Sequence, residues 1–172
     1  MLCTYYVRIM IVMQLENLIQ QKPLDYSTLY VDMNSFFASV EQYYNPKLRS
    51  RPVAVCAGTA DSCTVLAASV EAKRLGIRTG TRVGDARKLC PTIVCTNGDH
   101  SRYKEVHTQF MEVLHNTICY VEARGIDEAF LKLPSWSRNE TQATNLAKQI
   151  KKRFYEMYKE HIQCSIGLGA NV

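Results

Sequence analysis

Apolar and polar positions change period several times along the chain, and each change marks an element. Thr28-Leu29-Tyr30-Val31-Asp32 is a largely apolar run that ends in an acid, the pattern of a buried strand. Phe36, Phe37, Val40, Tyr43 and Tyr44 then recur at helical spacing, and Asn45-Pro46 stops that helix because proline cannot continue it. Pro52 to Gly58 reads as a second strand closed by glycine, and Val65 to Ala68 as a third. A helix over Ser69–Leu75 ends at Gly76, another covers Val83–Leu89 before Pro91, and Ile93–Cys95 is a further short strand. Between Ser101 and Asn116, the residues Tyr103, Val106, Phe110 and Leu114 share one helical face.

Cys119–Glu122 and Ala129–Leu133 flank Gly125-Ile126-Asp127-Glu128, a hairpin pattern with acids near its tip. Ser137-x-x-Glu140 has the form of a capping box, opening a long helix with Ala143, Leu146, Ile150, Phe154 and Met157 on one face. Gln163–Gly169 is the last strand. From Asp99 onward the order is helix, strand, strand, helix, strand. With the Thr28–Asp32 strand in front, this is a split β-α-β, ferredoxin-like arrangement of the α+β class, interrupted by a long insertion over residues 36–98. Residues 1–27 read as an N-terminal extension.

The 172 residues, 47% hydrophobic and 22% charged, argue for a globular chain and against general disorder. The best apolar run, Ile9 to Met13, is five residues long against the roughly 20 a membrane helix needs, so no membrane span is expected. The start has no convincing cleavage site, and seven cysteines with no Cys-x-x-Cys pair fit a reducing compartment, so an intracellular location is expected. Net charge is +5, yet residues 47–88 alone hold nine Lys/Arg against three Asp/Glu. A single basic segment in a nearly neutral chain suits an anionic partner, although a solvated charged face gives the same count.

Three acids stand out by position. Asp32 ends the first strand, and Asp127 and Glu128 lie at a hairpin that this fold sets beside it. Carboxylates held so close need a counter-cation, and hard oxygen ligands select Mg²⁺ or Mn²⁺. Two such ions can clamp the attacking and leaving oxygens of a phosphoryl transfer. An adjacent Asp-Glu is by itself more often a solvated turn; here Ile126 before it and Ala129-Phe130-Leu131 after it give a strand context.

At these residues the chain resembles a known family. Leu29-Tyr30-Val31-Asp32-Met33-Asn34-Ser35-Phe36-Phe37-Ala38-Ser39-Val40-Glu41 is similar to the first catalytic motif of the Y-family (DinB/UmuC-type) translesion DNA polymerases. Gly125 to Phe130 resembles their second motif, and Arg51 to Val55 with Ala68 to Ile77 their fingers segment. Leu89-Cys90-Pro91, Arg102-Tyr103 and Ser165 to Asn171 also match, so the resemblance runs in order over residues 28–172.

The resemblance implies a palm over 28–35 and 99–172, fingers over 36–98, and a thumb and little finger absent from these residues. It implies that Asp32, Asp127 and Glu128 hold two Mg²⁺ ions, with Mn²⁺ an alternative and the Met33 carbonyl a further ligand. Phe36, Phe37, Lys73 and Arg74 fall at nucleotide-binding positions. Phe37 is at the steric gate that excludes a 2′-hydroxyl, and Phe36 beside it also reads as a core residue. Lys73 stands where the family has an arginine on the triphosphate, and keeps the charge without the bidentate geometry. Val70 and Val172 replace a tyrosine and a lysine that reach the triphosphate, and Ser35 replaces an aromatic. The implied partners are primer–template DNA, dNTP and, through parts beyond these residues, a sliding clamp. The implied reaction is DNA-directed DNA synthesis opposite damaged template. A second reading is a truncated, non-catalytic palm-fingers remnant that binds DNA or a partner; the triphosphate replacements favour it and the preserved carboxylates oppose it.

Overall fold

A computed structural model of the chain describes residues 25–170, so most of the N-terminal extension, together with Asn171 and Val172, lies outside the described residues. The strands are β1 (Thr28–Met33), β2 (Val53–Cys56), β3 (Val65–Ala68), β4 (Val94–Thr96), β5 (Val121–Ala123), β6 (Glu128–Lys132) and β7 (Cys164–Gly169). The helices are α1 (Phe36–Tyr44), α2 (Val70–Arg74), α3 (Val83–Leu89), α4 (His100–His115) and α5 (Glu140–Tyr158). One sheet has the order β5-β6-β1-β7 and the other β3-β2-β4. In the first, β1 pairs antiparallel with both neighbours, and β5 pairs antiparallel with β6. This is the split β-α-β order, with the second sheet carried by the insertion.

Strict alternation along β1 sets the two faces of the first sheet. Leu29, Val31 and Met33 point inward and are buried, whereas Tyr30 is 41% exposed. The expectation of a buried strand is therefore corrected: only one face is covered, by α4 and α5, and the other is open. Val106, Phe110 and Leu114 of α4 meet Leu146, Ile150 and Phe154 of α5 above Leu29, Val31 and Leu131. Phe110 and Phe154 pack with ring centres 5.6 Å apart.

Two details of α5 differ from the sequence reading. Ser137 does not cap it: Ser137 is buried in a 3-10 turn over Ser135–Ser137, where its hydroxyl donates to the Pro134 carbonyl at 3.0 Å. Asn139 caps instead, its side-chain oxygen accepting the Gln142 N–H at 2.9 Å. The buried face then runs Ala143, Leu146, Ile150, Phe154 and Tyr158, while Met157 is 39% exposed, because Tyr158 is the residue one turn beyond Phe154.

The second sheet has its own apolar cluster, built from Ala54, Cys56, Val65, Ala72, Ile77, Val83 and Ala86. Ser69 ties α2 to it: its hydroxyl accepts the Val53 N–H at 3.2 Å and the Ala72 N–H at 3.3 Å. Helix α1 contributes Phe36 and Val40 to the first cluster and also lies against β2 and β3, so it spans from α4 to the second sheet.

Glu41 of α1 joins the two halves. It is 5% exposed, and its Oε1 accepts the Tyr103 hydroxyl at 2.8 Å and the Asp99 N–H at 2.9 Å, with Arg102 at 3.5 Å from Oε2. Next to it, Gly98 has φ +76°, and a side chain there would run into the Tyr103 hydroxyl. Glycine is thus required on both conformational and steric grounds where the chain returns from the insertion. Among the described residues no helix is long and apolar enough to cross a membrane.

Replacing Glu41 by alanine strands a buried hydroxyl and a backbone N–H and removes one of the two carboxylates beside Arg102, and is expected to cost about 3 kcal/mol. Glu41→Gln retains an acceptor and should lose less than half as much. Urea melts of the two variants check this; equal losses would show that hydrogen bonding to Glu41 is not what holds the junction.

Candidate active site

The register of β1 against β6 builds the site. Asp32 lies directly opposite Glu128, and directly opposed residues of an antiparallel pair present their side chains on the same face. One residue earlier, the Asp127 carbonyl accepts the Met33 N–H at 2.9 Å, which ties the hairpin to the end of β1. Three carboxyl-bearing residues thereby reach one edge of the sheet.

Their electrostatics record the crowding. Burial raises the Asp32 pKa above the ordinary carboxylate range, the charges of Asp127 and Glu128 raise it further, and Lys73 opposes them. Burial likewise raises Asp127; Glu128 adds to this, while its own backbone N–H and His107 pull the other way. The Glu128 side chain turns toward Tyr30, whose hydroxyl donates to Oε2 at 2.5 Å, and that bond raises the phenol pKa. Among the described residues, no three His, Cys, Asp or Glu side chains stand together as a ligand cluster. The edge is thus assembled in the backbone while the side chains remain apart, with Glu128 held by Tyr30. Solvent-reachable oxygen donors whose ionised forms repel one another suit a hard divalent cation, which would remove the repulsion.

Beyond β1 the chain turns sharply. Ser35 adopts φ 50°, and the Ser39 hydroxyl donates to the Asn34 carbonyl at 2.8 Å. Asn34 is braced from the other side, its side-chain oxygen accepting the Ser165 hydroxyl at 2.7 Å. The turn sends the two phenylalanines in different directions. Phe36 is 3% exposed, its ring packed in the first core. Phe37 is half-buried and lies against Tyr103, ring centres 4.4 Å apart and 23° from parallel.

Lys73 and Arg74 are exposed in the last turn of α2. Lys73 is near enough for its charge to act on Asp32. Arg74 instead faces a cavity of about 380 Å³, which Asn34, Val70, Glu160, His161 and Gln163 also line. Of these two cations, Lys73 is thus the one turned toward the acidic sheet edge. Two site residues escaped the sequence reading, Tyr30 and His107. The alternation that puts Tyr30 on the Asp32 face was the available signal for the first; the second is taken up below.

An antiparallel sheet edged by carboxylates, with an inserted basic α/β unit facing it, is the palm-and-fingers architecture of template-directed polymerases. The chain belongs to the impB/mucB/samB family, whose sequence profile matches residues 31–172, and thus to the Y-family of DNA polymerases. DNA polymerase IV of Dehalococcoides mccartyi is 34% identical over 140 residues, which take in 81% of this chain and 35% of that protein. The DNA repair protein rev1 of Schizosaccharomyces pombe is 34% identical over 145 residues, 84% of this chain and 15% of that one. The crystal structure of DinB from Sulfolobus solfataricus superposes with a TM-score of 0.75 and 28% identity, over 84% of this chain and 42% of that one. The chain thus spans about a third of the length of the DNA polymerase IV relatives it matches.

The carboxylates' mutual repulsion predicts a stability cost in the metal-free chain. Asp127→Asn is expected to raise Tm in EDTA by about 1–3 °C, partial exposure having screened the gain. If the acids hold Mg²⁺, the variant should also gain less stability from the ion than the parent chain. Thermal melts with and without the ion check both; a lower Tm in EDTA would show that Asp127 is held by favourable partners, not burdened by unfavourable ones.

Proposed function

We propose that this chain supplies the palm and fingers of a translesion DNA polymerase, which adds deoxynucleotides to a primer 3′ end opposite damaged template. The observation that carries the reading is the Asp32–Glu128 register, with Asp127 tied beside it and their charges raising the Asp32 pKa. The palm is the sheet β5-β6-β1-β7 with α4 and α5, and the fingers are the sheet β3-β2-β4 with α1, α2 and α3. We place Asp32, Asp127, Glu128 and the Met33 carbonyl as ligands of Mg²⁺, with Mn²⁺ as substitute. When bound, a pair of such ions would lower the pKa of the primer hydroxyl and neutralise charge on the transferring phosphate and its leaving group.

The chain's own residues do the rest. Lys73, opposite Asp32, holds the triphosphate as a point charge, and Arg74 supplies a second cation on the fingers side of the gap. Val70 is 46% exposed and offers the nucleotide no hydroxyl, which leaves more of the grip to these two cations. Phe37, braced flat against Tyr103, closes the sugar position and leaves no room for a 2′-hydroxyl. The nine Lys/Arg of residues 47–88 provide the sequence-independent attraction to nucleic acid. Primer–template DNA and dNTP are the proposed partners, and a sliding clamp would be engaged through other parts of a longer protein.

Primer extension with Mg²⁺ or Mn²⁺ and all four dNTPs tests the reading. Residues 1–172 should extend slowly and distributively, bind primer–template weakly, and lose that binding steeply as salt rises. Asp127→Ala should abolish extension. Phe37→Ala should raise ribonucleotide over deoxynucleotide incorporation by about tenfold or more. Extension that survives Asp127→Ala would overturn the site, and an unchanged sugar preference would return Phe37 to a packing role. Tight, salt-insensitive DNA binding without extension would favour the non-catalytic module.

A further inference from the structure

His107 touches no residue of the proposed chemistry directly, yet it reaches the backbone that carries it. We propose that His107 is a positioning residue that aims the Asp127 carboxylate by donating its Nδ1–H to the Ile126 carbonyl, 2.7 Å away. This rests on the reading of Asp127 as a metal ligand and adds a residue outside the motif that sets its geometry.

Ile126 C=O and Asp127 N–H belong to one planar unit, and Asp127 C=O and Glu128 N–H to the next. Fixing both planes fixes φ and ψ of Asp127, and with them the direction of its Cα–Cβ bond. The second plane is held by the Met33 N–H at 2.9 Å from the Asp127 carbonyl. The first has His107 as its partner on the carbonyl side. On its other side, the Asp127 N–H interacts with the Asp127 carboxylate itself. One imidazole thus holds the plane whose opposite edge faces the carboxylate.

The surroundings make this contact matter. Strand β6 begins at Glu128, so Asp127 lies just outside the ladder bonds that hold β6. On the other side of the tip, the Arg124 and Gly125 N–H groups donate to the Glu128 carbonyl at 2.9 and 3.3 Å, which leaves the Ile126–Asp127 peptide between them without a ladder partner of its own. His107, by contrast, is on a rigid mount. It sits in the middle of the 16-residue α4, between Val106 and Phe110, both 0% exposed. Its ring lies tilted beside that of Phe110, centres 6.4 Å apart. The core packing of α4 is therefore transmitted to Asp127 through one hydrogen bond.

A carbonyl oxygen only accepts, so the geometry requires the proton on Nδ1. Long-range ¹H–¹⁵N spectra of the 172-residue chain at neutral pH should show that tautomer, whereas a ring free in water favours Nε2–H. Two variants separate donor from bulk: His107→Phe keeps a ring without a donor, and His107→Asn places an amide N–H at similar reach. Amide exchange at Asp127 in the metal-free chain should speed up about tenfold in His107→Phe and stay near the parent rate in His107→Asn. Mn²⁺ affinity, followed by paramagnetic resonance with Asp127→Ala as reference, should fall about tenfold in His107→Phe and recover in His107→Asn. A proton on Nε2, unchanged exchange in His107→Phe, or His107→Asn exchanging as fast as His107→Phe would each overturn the proposal. If the parent and Asp127→Ala bind Mn²⁺ equally, the metal reading fails instead, and the exchange rates alone decide whether His107 holds the hairpin.

Discussion

The antiparallel register between β1 and β6 is the constraint on which the rest depends. Facing residues in such a pair share a side of the sheet, so the pairing that buries Leu29 and Val31 against Leu131 and Ala129 also puts Asp32 beside Glu128. A slip of one residue would bury Tyr30 and Asp32 and expose the core set, which makes any other register costly. Hydrophobic burial therefore specifies where the charges go. The acids' mutual repulsion is sustained by apolar packing on the opposite face, with no need for favourable contacts among themselves.

Geometry on the other side of the gap depends on a different kind of link. The insertion has its own small core, and it is attached to the first sheet by Phe36 and Val40 in the first apolar cluster and by specific polar contacts: Glu41 binds the Tyr103 hydroxyl and the Asp99 backbone, and Gly98 lets the chain turn against Tyr103. Tyr103 is also the surface on which Phe37 rests. One buried tyrosine thus connects the hinge between the two sheets to the residue that bounds the proposed sugar site. A disturbance at Glu41 is transmitted to Phe37 over a single ring contact.

Much of this was legible in the sequence because it follows from period and punctuation. The strand ending in Asp32, the hairpin around Asp127 and the helix from Val83 to Leu89 all follow from apolar spacing and Gly or Pro stops. The errors came where a local signal met tertiary demand. Ser137 has the spacing of a cap but spends its hydroxyl on Pro134, and Tyr158 takes the core position in place of Met157 because it follows Phe154 by four residues on the same face. Phe36 and Phe37, adjacent in sequence, point in different directions after the turn at Ser35, with Phe36 in the core as its reading there expected. Glu41 and His107 act through partners elsewhere in the chain, and no periodicity announces such pairs, whereas the alternation along β1 does place Tyr30 on the face of Asp32.

The central claim is that the Asp32–Asp127–Glu128 edge takes divalent cations once the side chains close on them. Anomalous diffraction from crystals of the chain grown with Mn²⁺ and a non-hydrolysable dNTP analogue tests it most directly. The account predicts anomalous peaks bridging Asp32 and Asp127, at metal–oxygen distances of about 2.1 Å, with the triphosphate turned toward Lys73. Peaks only elsewhere on the surface, with the three carboxylates still apart and Glu128 on Tyr30, would contradict it.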